Sequence, residues 1–80
     1  MKHFVYVIIS QKRKYIYVGI THNLSARIAR HNAGREVASR AYRPFKLIYN
    51  EKLSSRIDAR IREKYLKSGV GKEFLKTLLW

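Results

Sequence analysis

Glu63 stands between Arg62 and Lys64 in the stretch RIDARIREKYLK (residues 56–67), in a chain of 80 residues that holds only five Asp and Glu against eighteen Lys and Arg. A helix turning about 100° per residue puts Ile57, Ile61 and Tyr65 in one stripe and Ala59, Glu63 and Leu66 in another, with Arg56, Arg60, Lys64 and Lys67 between them. A carboxylate beside small and apolar neighbours is costly unless it is paired, bound to a metal or within reach of water. Two readings follow: an ion pair with Lys67 or Arg60 at helical spacing, or a metal ligand.

In LSARIARHN, Arg27 and His31 are four residues apart and flank the stripe of Leu24 and Ile28, so both are expected to point toward a cleft at the edge of the core. An arginine fork beside a histidine suits a phosphate that gains charge in a transition state. The plainer readings are one more surface charge for Arg27 and a capping or solvated ring for His31. Tyr6 and Tyr17 fit ordinary strand aromatics, and equally phenols turned into a cleft to orient a water or hydroxyl. Gly19 would mark a turn, or a close approach that lets a phosphate come near the sheet.

These residues need elements to hold them. HFVYVII and YIYVGI, joined by the polar SQKRK, read as a β-hairpin. Alternation places Phe4, Tyr6 and Ile8 on one face and Tyr15, Tyr17 and Gly19 on one face, so the two phenols lie side by side if the register allows. Thr21 and Asn23 offer caps for a helix of about three turns that stops near Asn32 to Gly34. Gly34 to Arg43 has no period and reads as a basic loop before Pro44, and FKLIYN alternates like a third strand. Ser55 and Asp58 resemble a capping box for a helix running through Lys67. Gly69 and Gly71 are expected to close that helix, with KEFLKTLLW as a short amphipathic terminal one. The expected class is α+β, a three-stranded antiparallel sheet flanked by helices in the order β-β-α-β-α-α, as one domain over residues 1–80.

Composition bounds the function. Hydrophobic residues at 46% support a modest core, and the net charge of +13 is self-repelling enough to call for a polyanionic partner. No apolar run reaches the ~20 residues of a spanning helix, and Met1 to Ile9 lacks the h-region and cleavage site of a signal peptide, so a soluble cytoplasmic protein is expected. The absence of cysteine excludes disulfides, thiolate metal sites and cysteine nucleophiles.

Taken together, FVYVIIS, YIYVGIT, LSARIARHN, RPFKLIYNE and ARIREKYLKSGVGKEFLK resemble, in order and over nearly the whole chain, the motifs of the GIY-YIG nuclease superfamily. The similarity is to its small stand-alone members related to the nuclease domain of the UvrC repair protein. FVY at Phe4 to Tyr6 stands for the first tripeptide, with Phe4 in place of glycine, and YVG at Tyr17 to Gly19 for the second. The resemblance implies a metal-dependent phosphodiesterase, with Glu63 as ligand of Mg²⁺ or Mn²⁺, Arg27 as phosphate clamp, Tyr6 and Tyr17 as paired phenols and His31 as acid or base. Mg²⁺ keeps several waters, so one carboxylate with phosphate oxygens suffices chemically. A phenol ordinarily titrates near ~10 and needs a cationic setting to serve as base at neutral pH.

Lys12, Arg13, Lys14, Arg35, Arg40, Arg43, Arg60 and Lys64 are candidate phosphate contacts, which bring salt dependence and little sequence preference. DNA is expected before RNA as substrate, with targeting left to a partner protein or a dimer. The competing readings are a non-catalytic nucleic-acid-binding module on the same fold and a basic adaptor in a protein complex.

Overall fold

The central strand is apolar on both sides, and that decides the layering. In the computed structural model, which describes residues 2–79, β1 (His3–Ser10) lies between β2 (Ile16–Thr21) and β3 (Phe45–Leu53), antiparallel to both. Val5 and Val7 face one way and Tyr6 and Ile8 the other, and all four are fully buried. A strand buried on both faces needs a cover on each. Helix α1 (Leu24–Asn32) covers the Tyr6 and Ile8 face through Leu24 and Ile28, while α2 (Arg56–Lys67) and α3 (Gly69–Leu79) cover the Val5 and Val7 face through Ala59, Leu66 and Leu75. The class and element order are those expected from the sequence. No helix among the described residues is long and apolar enough to cross a membrane.

β3 is less regular than its alternation suggests. Val7 pairs with Tyr49 but Ile8 with Leu47, so Ile48 is an extra residue in a bulge. The bulge sends Phe45 and Leu47 to the α1 side and Tyr49 and Leu53 to the α2 side. Strict alternation would have kept all four on one face.

The segment between α1 and β3 contains a short 3₁₀ turn, Arg40–Tyr42. Ser10 Oγ donates to the Tyr42 carbonyl at 2.6 Å and accepts from the N–H groups of Lys12 and Arg13, tying the hairpin turn to this segment. Tyr15 and Tyr42 stack at 3.9 Å. Asn32 Oδ1 accepts from the Phe45 N–H at 2.6 Å, which anchors the end of α1 to the start of β3.

On α2, Ser55 caps by accepting from the Asp58 N–H at 3.1 Å. The stripe of Ala59 and Leu66 faces the sheet, whereas Ile57 and Ile61 are 73% and 63% exposed. The glycines do not separate the last two helices as expected; α3 already begins at Gly69. Ser68 takes over as the junction, its Oγ accepting from the Gly71 N–H at 3.2 Å and its carbonyl from the Lys72 N–H at 2.9 Å. Gly71 is needed for packing: a Cβ there would lie 2.0 Å from the Tyr65 carbonyl oxygen. Trp80, expected at the end of the terminal helix, lies outside the described residues.

Gly71→Ala should therefore lower stability by about 1–3 kcal/mol despite the better helix propensity of alanine. Gly69→Ala, whose Cβ would meet nothing within 4 Å, should leave stability equal or slightly higher. Urea unfolding of the two variants checks the contrast.

Candidate active site around the edge of β2

Tyr6 leaves the middle of β1 toward α1, and its hydroxyl lies 2.8 Å from His31 Nε2. The other ring nitrogen, Nδ1, lies 2.7 Å from Ser39 Oγ. All three residues are fully buried. A neutral imidazole has one donor and one acceptor nitrogen, so the protons run either from Tyr6 through His31 to Ser39 or in the opposite sense. In both orders each nitrogen of the imidazole has a partner, as burial demands.

Gly19 makes this arrangement sterically possible. It pairs with Tyr6 across the β1–β2 ladder, and a Cβ at Gly19 would fall 2.6 Å from the Tyr6 hydroxyl oxygen. The space a side chain would fill holds the phenol.

Tyr17 sits beside the buried pair, its ring 4.7 Å from that of His31 and 6.2 Å from that of Tyr6, and it is partly exposed. Arg27, one turn before His31 on α1, is close enough to Tyr6 for its positive charge to act on the phenol. Burial pushes the Tyr6 phenol well above its ordinary range; Tyr17 adds to the shift and Arg27 opposes it. Burial lowers His31, with Glu36 working against that shift and Arg27 and Arg30 reinforcing it. At neutral pH the interior thus holds a neutral phenol and a neutral imidazole. His31 is neither a cap nor a solvated ring.

Glu63 belongs to the opposite layer. Its side chain is 20% exposed and 3.1 Å from Lys67 Nζ, the ion pair that helical spacing offers. The sheet separates α2 from Tyr6 and His31, and both α1 and α2 reach the outer edge of β2. Arg56 and Arg27 line one hollow there with Ile20 and Thr21, while Lys67 lines another with Ile16 and Tyr17. Arg56, Glu63 and Lys67 fall on one helical stripe, and its two ends, Arg56 and Lys67, reach those hollows. Among the described residues no group of three His, Cys, Asp or Glu forms a metal cage. A lone carboxylate at an open rim does suit Mg²⁺, which retains waters and shares phosphate oxygens.

The remaining cations fall into groups. Lys12, Arg13 and Lys14 form the hairpin turn, and Arg40 and Arg43 neighbour it through the Ser10 contacts and the approach of Arg13 to the Tyr42 ring at 5.9 Å. Arg35 follows α1, and Arg60 and Lys64 are exposed on α2. Ser39 was not foreseen, because it lies in a segment without periodicity and only the folded chain brings it to His31.

The chain resembles known proteins over nearly its whole length. Residues 2–76 match the GIY-YIG catalytic domain. A UPF0213 protein of Staphylococcus haemolyticus is 40% identical over 78 residues, covering 96% of this chain and 94% of its own length. A UPF0213 protein of Staphylococcus epidermidis is 30% identical over the same shares. The solution NMR structure of the UPF0213 protein BH0048 from Bacillus halodurans superposes with a TM-score of 0.58 at 29% identity, covering 99% of this chain and 86% of that one.

Gly19→Ala should lower stability by about 1–3 kcal/mol through overpacking. Adding Tyr6→Phe, which removes the nearest clashing atom, should recover part of that loss, giving a measurable coupling in a double-mutant cycle of thermal melts.

His31 gives a second test. Its folded-state value lies below the unfolded one, so the unfolded chain takes up this proton first on acidification. The stability it contributes is complete above about pH 6.5 and is lost as the pH falls below that value. The melting temperature of the wild type should drop more steeply between neutral and mildly acidic pH than that of His31→Gln; parallel slopes would contradict the assignment.

Proposed function

Because the chain belongs to the GIY-YIG family, a nuclease superfamily, we propose that it is a divalent-metal-dependent endonuclease that hydrolyses phosphodiester bonds in DNA with little sequence specificity of its own. The observation that carries the reading is the Tyr6–His31–Ser39 hydrogen-bond chain, with Arg27 and Tyr17 at its mouth. Burial alone accounts for a partner on each ring nitrogen; what supports the functional reading is that Arg27 and the partly exposed Tyr17 stand beside that chain.

In this reading the scissile phosphate lies at the β2 edge. A water oxygen bonds to phosphorus, the bond to the 3′ oxygen breaks, and that oxygen takes up a proton. Arg27 binds the nonbridging oxygens and stabilises the charge they gain. Tyr17, the exposed member of the phenol pair, orients the attacking water. Tyr6 and His31 are sealed from solvent, so they act behind Tyr17, fixing its ring and taking or returning a proton along the buried chain. Glu63 would hold the cation, exchanging its Lys67 partner for it, and the cation would neutralise charge on the phosphate and the departing oxygen. The basic side chains around the hairpin turn, with Arg35 and those on α2, bind the backbone to either side, while Gly19 acts from inside the sheet by making room for the Tyr6 phenol.

The second reading, a nucleic-acid-binding module without catalysis, draws on one observation: Glu63 is already neutralised by Lys67. Cleavage of labelled DNA substrates with Mg²⁺ or Mn²⁺ separates the two. Glu63→Ala should abolish cleavage with binding equal or slightly tighter, and Arg27→Ala should slow it by about 10²–10³-fold. Cleavage retained by Glu63→Ala would sink the nuclease assignment of this residue, and no cleavage by the wild type with either metal would favour the binding module.

A further inference from the structure

A groove of about 370 Å³ runs along the outer edge of β2 beside Tyr17, within the size range of ligand-binding pockets. Its floor is apolar, formed at the surface by Ile16 with Tyr17 beside it and backed by the buried Val18, Leu66 and Leu75. Its rim carries Lys67, Lys72 and Lys76; Lys67 and Lys76 are shared with Glu63 and Glu73 in exposed pairs that a phosphate can displace. The groove continues past Ile16 into a hollow of about 650 Å³ that shares Lys72 and Lys76 and adds Lys14 and Tyr15.

We propose that this groove is a subsite for unpaired nucleotides, one strand of nucleic acid whose bases lie on the apolar floor and whose phosphates meet the lysine rim. The argument is complementarity of two kinds at once. Lysines alone would serve any phosphate backbone, duplex included. An apolar floor gains nothing from a duplex, whose base faces are already stacked and paired, and gains directly from a strand whose bases are free to be covered. An acidic peptide satisfies the rim but leaves the floor empty. The groove opens beside Tyr17, so a strand held in it is delivered to the β2 edge. The proposal rests on the nuclease reading only for that last step.

The test is fluorescence anisotropy in EDTA, so that binding is measured without cleavage, using a short labelled single-stranded oligonucleotide, the duplex of the same length, and poly-glutamate as competitor. The single strand should bind about tenfold tighter than the duplex at equal salt. Lys72→Ala combined with Lys76→Ala, both exposed positions, should weaken single-strand binding about tenfold and flatten its salt slope by about 1.4, with a smaller effect on duplex. Ile16→Asn should weaken single-strand binding with the slope unchanged. Equal affinity for both forms, equal losses for both in the lysine variant, or displacement by poly-glutamate as effective as by unlabelled single strand would overturn the proposal. Single-strand binding by this groove in a chain that cuts nothing would remove the nuclease reading alone. Single-strand cleavage by the wild type, with groove variants that bind and cut the single strand as the wild type does, would remove the subsite alone.

Discussion

A buried imidazole must have partners for both nitrogens, and the structure between residues 6 and 45 is arranged around that requirement. One partner, Tyr6, stands at full side-chain length in the middle of the sheet and fits only because Gly19 opposite it lacks a Cβ. The other, Ser39, is delivered by a connecting segment that the 3₁₀ turn, the Ser10 contacts and the Asn32 clamp hold closed. Remove either partner and His31 is left with an unpaired polar atom in a low-dielectric interior, which costs more than the hydrogen bond itself contributes. The irregular segment is thus as constrained as the helices, although it carries no periodic pattern.

The charge distribution follows a different logic. All four glutamates are ion-paired, with Arg30, Arg62, Lys67 and Lys76. Pairs this exposed contribute little to stability, and the excess of positive charge works against the compact state. Arg62 illustrates how the acids are used: with Glu51 and Tyr49 it joins α2 to β3, and its guanidinium also lies 4.9 Å from the Tyr65 ring. The anions fix a few helix and strand positions and leave the rest of the cationic surface to meet something outside the molecule.

Much of this was legible in the sequence because it rests on period and spacing. Strand alternation brings Tyr6 and Tyr17 together, a four-residue interval puts Arg27 and His31 on one flank, and Ser55 announces α2. What was hidden depends on how elements meet. The bulge at Ile48 leaves no trace in FKLIYN, because an extra residue in one strand is defined only by its partner. Gly69 and Gly71 look like helix stops, yet Gly71 serves close packing against the end of α2. The stripe of Ile57, Ile61 and Tyr65 is the more apolar of two on α2, but the small Ala59 lets the helix lie close to the sheet and leaves the larger side chains outside. Glu63 was identifiable as unusual, but its relation to the phenols required knowing that β2 is an edge strand.

That edge has a further consequence. An outermost strand with unpaired N–H and C=O groups invites another chain to extend the sheet, the ordinary route to runaway association in small β-containing proteins. Lys14, Lys67, Lys72 and Lys76 crowd the border of β2 with like charge, and an incoming copy would bring the same four lysines against them. Like charge on that border opposes edge-to-edge pairing of two copies and favours a polyanion in the same place.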